Sequence, residues 1–286
     1  MMKFLSGGVI LILLSLIING CKLPANKENV VRIKGSDTMV RLTQMLAQEY
    51  MKTDSAAVIQ VAGGGSGTGV AALINGTADI ATISREIHKN ELTRAIAEGH
   101  EFKVDTIGID ALVVVVNAGN KIPFLTISDL KNIFTGKSRN FESVGGPDLE
   151  ITPYGRENSS GTYEFFKEHV LKGSDFAPSV QVLQGTAALA DAVSKDKKGI
   201  AYGGIGHFMG RKDVRIVPVK ISDKITIPPG GLLTPEAIKD GPYSLKRYIY
   251  LISDSKGNKK AADFIGFVKS PEGQKIVKQL EFIPLY

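Results

Sequence analysis

Short apolar segments alternate with helix-patterned ones along most of this chain, and that alternation limits its fold more than any other feature. Residues 30–33 form a brief apolar run, and residues 38–52 follow with helical spacing at Leu42, Met45, Leu46 and Tyr50. A second strand is expected over 57–61, then a glycine-rich turn and a helix marked by Val70, Leu73 and Ile74. Asn75 and Gly76 close that helix, residues 79–83 read as a third strand, and 90–98 as a third helix. Strands separated by helices need crossover connections, so the pattern predicts an α/β fold with a parallel sheet.

The run ALVVVVN at 111–117 has no polar alternation, as expected of a strand buried on both faces. Beyond it the rhythm restarts: helix at 128–134, strand at 151–154, helix at 162–171, strand at 181–183, helix at 187–194 and strand at 199–202. Residues 211–243 read as irregular, 247–252 as a strand, and 258–280 as two closing helices. For 286 residues, two α/β lobes fit this better than one. With 43% hydrophobic and 22% charged residues the chain is neither disordered nor fibrous. A single cysteine excludes an internal disulfide and a multi-thiolate metal site. The net charge of +6 is modest and gives no reason to expect a nucleic-acid partner.

The first twenty residues have a different character. Lys3 supplies a basic start and residues 4–18 are nearly all apolar, too short for a bilayer span but suited to an export signal. The run ends in IINGC, with a small residue immediately before Cys21, which resembles a bacterial lipoprotein cleavage site. On that reading 1–20 is removed, Cys21 carries lipid, and 21–29 is a polar tether.

Three expected helix starts share a composition that periodicity alone does not demand. They are GSDT at 35–38, GGGSGTG at 63–69 and RENSSGT at 156–162. A helix N-terminus offers unpaired N–H groups and partial positive charge, hydroxyls add donors, and glycine lets a ligand approach the backbone. Ordinary N-capping uses the same residue types, so one such segment proves little. Three, spread over both halves, point to an anion. Other motifs fail on spacing. Thr68 occupies the place of the second glycine of a nucleophile elbow around Ser66, and Lys131 stands where a P-loop ending in Gly136-Lys137-Ser138 needs its first glycine. Gly67 and Gly69 match a dinucleotide fingerprint only loosely, with no clear ribose-binding acid. His88, His100, His169 and His207 are scattered, with no pair at metal-ligand spacing. The pattern supports binding better than catalysis, with no cofactor or metal.

From about residue 30 to 285 the chain resembles the phosphate-binding proteins of bacterial phosphate ABC transporters. The resemblance rests on GSDTM at 35–39, the two further loops above, SDLKNIFTGK at 128–137 and FIGFVKSPEGQKIV at 264–277. It implies a two-lobed periplasmic-binding-protein fold of type II with a two-strand hinge. The first lobe would hold 30–112 and 250–286, the second 113–249, with crossing strands near 113–117 and 245–249. It also implies phosphate as ligand, a membrane ABC permease as partner, and a place in the cell envelope, anchored by lipid. Thr38 would give a hydroxyl and a backbone N–H, Met39 a second N–H, and Ser66 a cap from the same lobe, beside Ser36 and Asp37. Arg156 would give a forked contact from the other lobe, joined by Ser160, Gly161 and Thr162. Many members follow the third strand with Ser-Asp, whose carboxylate accepts the proton of hydrogen phosphate. Here Ser84 is followed by Arg85, a further candidate anion contact that cannot accept a proton. Asp37 is then the nearest replacement acceptor, unless it only caps its helix. The alternatives are another oxyanion (sulfate, molybdate or a phosphate ester), a surface adhesin or signalling lipoprotein on the same fold, or a phosphate-ester hydrolase using Ser66 or Ser160.

Overall fold

The computed structural model describes residues 29–221, 224–225, 243 and 245–286. The export signal expected at 1–20, Cys21, and all of the expected tether but its last residue lie outside the described residues, as do 222–223, 226–242 and 244.

The chain begins with β1 (Val30–Gly35), a 3-10 turn (Asp37–Met39), α1 (Val40–Thr53), β2 (Val58–Ala62), α2 (Ser66–Ile74), β3 (Ile80–Ile83) and α3 (Lys89–Ala97). β1 pairs parallel with β2 on one side and β3 on the other, as the alternating pattern predicts. The next strand, β4 (Phe102–Asn117), is far longer than the apolar run that announced it. Lys103, Asp105 and Asp110 hid its first half, which needs no continuous hydrophobicity because it lies in the sheet beside β12 (Lys246–Asp254).

The second half adds β5 (Leu125–Thr126), α4 (Ile127–Phe134), β6 (Thr152–Arg156), α5 (Gly161–His169), β7 (Gln181–Leu183), α6 (Thr186–Lys195) and β8 (Gly199–Gly204). The stretch expected to be irregular holds three short strands, β9 (Val214–Val217), β10 (Val219–Ile221) and β11 (Lys224–Ile225). They are too short to show a period of two, and Pro218 separates the first from the second. Helices α7 (Lys259–Val268) and α8 (Pro271–Gln279) close the chain, each capped by a side chain that accepts a backbone N–H, from Asn258 and Ser270.

The large sheet runs β2-β1-β3-β12-β4-β8-β6-β7, with β9 also on β4. It is antiparallel where β12 meets β3 and β4 and where β4 meets β8 and β9, and parallel elsewhere, so the expectation of a parallel sheet is corrected. Two large, separate cores confirm two lobes, a smaller cluster around Val70, Leu73 and Ile83 belonging to the first. One gathers Val31, Ile33, Leu42, Leu46, Ile80, Leu251, Phe264 and Val277. The other gathers Val113, Val115, Phe134, Phe166, Leu189, Ile200 and Tyr202. Phe166 stacks on Tyr202 at 3.8 Å between ring centroids, and Phe134 meets both rings edge-on. Each such fully buried apolar side chain contributes roughly 1.5–3 kcal/mol.

β4 passes from one core to the other. Its residues 102–111 pair with β12, and Leu112 to Val116 pair with β8. At the changeover the Leu112 N–H donates to the Leu245 carbonyl at 2.8 Å, and the Tyr243 hydroxyl donates to the Leu112 carbonyl. The two crossing segments are thus tied together.

Candidate functional site

The three glycine- and hydroxyl-rich loops, far apart in sequence, meet at one place between the lobes. β1 ends at Gly35, whose φ is +149° and where a Cβ would lie 2.1 Å from the Thr82 carbonyl oxygen. Only glycine lets the chain pass β3 so closely. Ser36 then donates its N–H to that carbonyl at 2.8 Å and its hydroxyl to Ser84 Oγ at 2.9 Å. Gly64 and Gly65 take φ of +116° and +94°, which turns β2 into α2 and sets Ser66 at the helix start. Ser66 Oγ accepts the Ser84 N–H at 3.2 Å. Ser36, Thr38, Met39, Ser66 and Ser84 are all buried.

The other lobe supplies the end of β6 and the start of α5. Ser160 caps α5, its Oγ accepting the N–H groups of Thr162 and Tyr163 at 3.2 and 3.4 Å. Across the gap the Thr38 and Thr162 hydroxyls lie 3.0 Å apart. Gly67 donates its N–H to the Ser159 carbonyl at 3.1 Å, and Ser159 Oγ donates to the Gly64 carbonyl at 3.2 Å. A Cβ on Gly161 would come within 2.4 Å of Ser66 Oγ and 3.0 Å of Ser84 Oγ. The lobes are closed on each other.

Arg156 is buried and heavily engaged. It donates from Nη2 to Asp37 Oδ2 across the gap at 2.7 Å, from Nη1 to Thr186 Oγ1 at 2.9 Å, and from Nε and Nη2 to Glu157 at 3.0 and 2.8 Å. Burial works against the Glu157 charge, yet Arg156 holds that carboxyl below its usual range. The other oxygen of Asp37 accepts the Gly64 N–H at 2.9 Å. Asp37 therefore joins two loops and an arginine, and the 3-10 turn it begins has no side-chain cap.

Arg85 is buried too but turned aside. Its Nη1 and Nη2 donate to Glu91 at 2.9 and 2.7 Å, its Nη1 to the Glu86 carbonyl at 2.8 Å, and its Nε lies 2.5 Å from Glu164 Oε2. Those partners use it as a strut between β3, α3 and α5 rather than as a second inward fork. His88 reaches the same Glu164 oxygen at 2.6 Å, so α5 is gripped from the first lobe at two points.

Two central residues escaped the sequence reading. Asp110 on β4 and Arg247 on β12 stand opposite each other in register and are buried, with Arg247 Nη2 donating to Asp110 Oδ2 at 2.8 Å. The same nitrogen donates to Thr162 Oγ1 at 3.0 Å. Burial raises the Asp110 carboxyl above its usual range against the pull of Arg247. The available signal was slight: a carboxylate just before the apolar run at 111–116 and an arginine just before the apolar run at 248–252. Hollows open on both sides of the site. One of about 490 Å³ is lined by Arg85, His88, Glu164, Phe165, Arg247 and Tyr248; one of about 420 Å³ includes Thr38, Arg41, His207 and Leu280. No group of His, Cys, Asp and Glu among the described residues could hold a metal ion.

This arrangement of hydroxyls, backbone N–H groups and guanidinium suits a small oxyanion held between two lobes. Known proteins agree with it. A PBP superfamily domain matches residues 24–272. The phosphate-binding protein PstS of Staphylococcus epidermidis is 32% identical over 84% of this chain and 74% of its own. The Pseudomonas aeruginosa protein of the same name is 31% identical over 88% and 81%. Among solved structures, a phosphate ABC transporter substrate-binding protein from Clostridium perfringens with bound phosphate superposes with a TM-score of 0.80. It is 25% identical and covers 90% of this chain and 100% of its own. An ABC-type phosphate transport receptor from Vibrio cholerae gives 0.69 at 27% identity, covering 88% and 99%. With the superfamily match across most of the chain and relatives this similar over their length, the chain belongs to the periplasmic-binding-protein superfamily, in the family of the phosphate-binding protein PstS.

Proposed function

We propose that this protein captures inorganic phosphate between its lobes outside the cytoplasm and delivers it to a membrane ABC permease, with no bond made or broken. The observation that carries this is the meeting of Thr38 and Thr162 hydroxyls 3.0 Å apart, one from each lobe, at the starts of helical segments. An anion there would join the lobes through Thr38, Met39 and Ser66 on one side and Arg156, Ser160, Gly161 and Thr162 on the other. Ser36 and Asp37 shape the same loop, and Arg85 braces it from behind. The strand pairing supports a division at residues 111/112 and 245/246, close to the sequence-based limits of 112 and 249. Those two crossings serve as the hinge.

The anchor is part of the same proposal. Lipid on Cys21 would keep the protein at the membrane that holds the permease, and the polar tether would let it move there. Cys21→Ser should release the protein into the soluble fraction and abolish labelling by a fatty-acid probe; a variant still bound and labelled would refute the anchor. Calorimetry against phosphate, sulfate, arsenate and molybdate tests the ligand. Tight phosphate binding without turnover is expected. Preference for another oxyanion would replace phosphate, and no anion binding would favour an adhesin or signalling role.

A further inference from the structure

Arg247 holds donors that nothing among the described residues uses. A guanidinium carries five N–H groups in one plane. The edge formed by Nε and Nη2 faces Asp110, with both nitrogens donating to Oδ2 at 3.1 and 2.8 Å. The remaining Nη2 hydrogen points to the other side, toward Thr162 Oγ1 at 3.0 Å, with Thr38 Oγ1 at 3.4 Å. Nη1 shares that side. It is buried and has no hydrogen-bond partner among the described residues. The Phe165 ring lies 5.6 Å from the guanidinium carbon and limits rotation of the plane. A buried donor left unsatisfied is costly, so an orphan beside two hydroxyls of an anion site calls for an acceptor there.

Arg156 makes the contrast. Its Nε, Nη1 and both hydrogens of Nη2 have protein partners, which leaves one N–H of Nη1 to give. Arg247 has both N–H groups of Nη1 to give.

We propose that Arg247 is an anion-binding residue of this site, presenting Nη1 to the ligand between Thr38 and Thr162, and that Asp110 is the group that fixes its plane. This rests on the phosphate reading above. Because Asp110 neutralises Arg247, the pair offers strong donors without adding net charge to the cleft. It stands on the two crossing strands, so the ligand is read at the hinge as well as by the lobes.

The test is calorimetry of the full chain with inorganic phosphate, alongside Arg247→Lys. Lysine keeps a cation for Asp110 but cannot supply the second nitrogen of the fork. Phosphate affinity should fall at least tenfold while the ligand-free melting temperature stays near wild type. An Arg247→Lys protein that folds and binds phosphate within twofold of wild type would overturn the proposal alone. Wild-type protein that fails to bind phosphate would overturn the phosphate reading itself. Should the lysine variant not fold, a crystal structure of the wild-type protein grown with phosphate decides. A phosphate oxygen within hydrogen-bond distance of Nη1 supports the assignment, and one seated more than about 4 Å away refutes it.

Discussion

Arg156 reaches across the cleft to Asp37 and along its own loop to Glu157, so on the proposed reading its removal should act on the ligand and on the loops at once. Charge-assisted hydrogen bonds contribute roughly 1.5–3 kcal/mol each, and about 1.4 kcal/mol corresponds to tenfold. Arg156→Ala should therefore weaken phosphate binding at least tenfold by calorimetry, with Arg156→Lys recovering only part. Unchanged affinity in the alanine protein would remove Arg156 from the site. The residues that could be read in advance were those whose chemistry is local. Ser66, Ser160 and Thr162 sit at helix starts, where neighbouring glycines and hydroxyls announce their position. Arg247 and Asp110 could not be read so, because they are 137 positions apart and only the strand register brings them together. Arg85 was legible as a departure from the family pattern, but its partners Glu91 and Glu164 come from two different helices.

Helix α5 begins with a cap that serves the lobe and a glycine that serves the cleft. Ser160 satisfies two N–H groups of its first turn. Gly161 leaves room for Ser66 and Ser84 from the opposite lobe. Gly161→Ala should improve helix propensity slightly, since glycine costs about 0.5–1 kcal/mol against alanine within a helix. Yet it should obstruct closure, because its methyl group would press on Ser66 Oγ. Thermal melting and phosphate titration of one sample would separate these effects: equal or higher ligand-free stability, with weaker binding. Binding as tight as wild type would mean that the loops yield. Among the elements, those with strong periodicity or unbroken apolar runs were legible. The first half of β4 and the strands β9 to β11 were not, since pairing partners rather than intrinsic pattern define them.

Two expectations belong to the whole molecule. The contacts from Asp37 to Arg156, Thr38 to Thr162 and His88 to Glu164 all cross between lobes, so a bound anion should favour the closed arrangement. Small-angle scattering should give a smaller radius of gyration with saturating phosphate than without it, and no change would indicate a preformed closed pocket. The second concerns pH. His207, in the turn after β8, is held below its ordinary pKa by burial, against the attraction of Asp110. The unfolded chain takes up that proton below about pH 6.5 while the folded chain resists it. Stability from His207 is therefore complete above that value and is lost as pH falls toward the folded-state pKa. The urea midpoint should drop between about pH 7.5 and 5.5, and His207→Gln should flatten that drop. An identical slope in the variant would assign the effect elsewhere.

The place of β12 between β3 and β4 bears on how the protein is made. A chain emerging from the ribosome has completed β1 to β3 and all of β4 long before residues 246–254 exist. Until then the first sheet lacks its middle strand, and the Ile80 and Ile107 side chains lack the Ile249, Leu251 and Phe264 partners that complete their core. Contacts this distant in sequence close slowly and late. The nascent protein is thereby kept from setting into its final shape until its closing strand has been made. What looks in the finished molecule like a device for joining two lobes also works, earlier, as a delay.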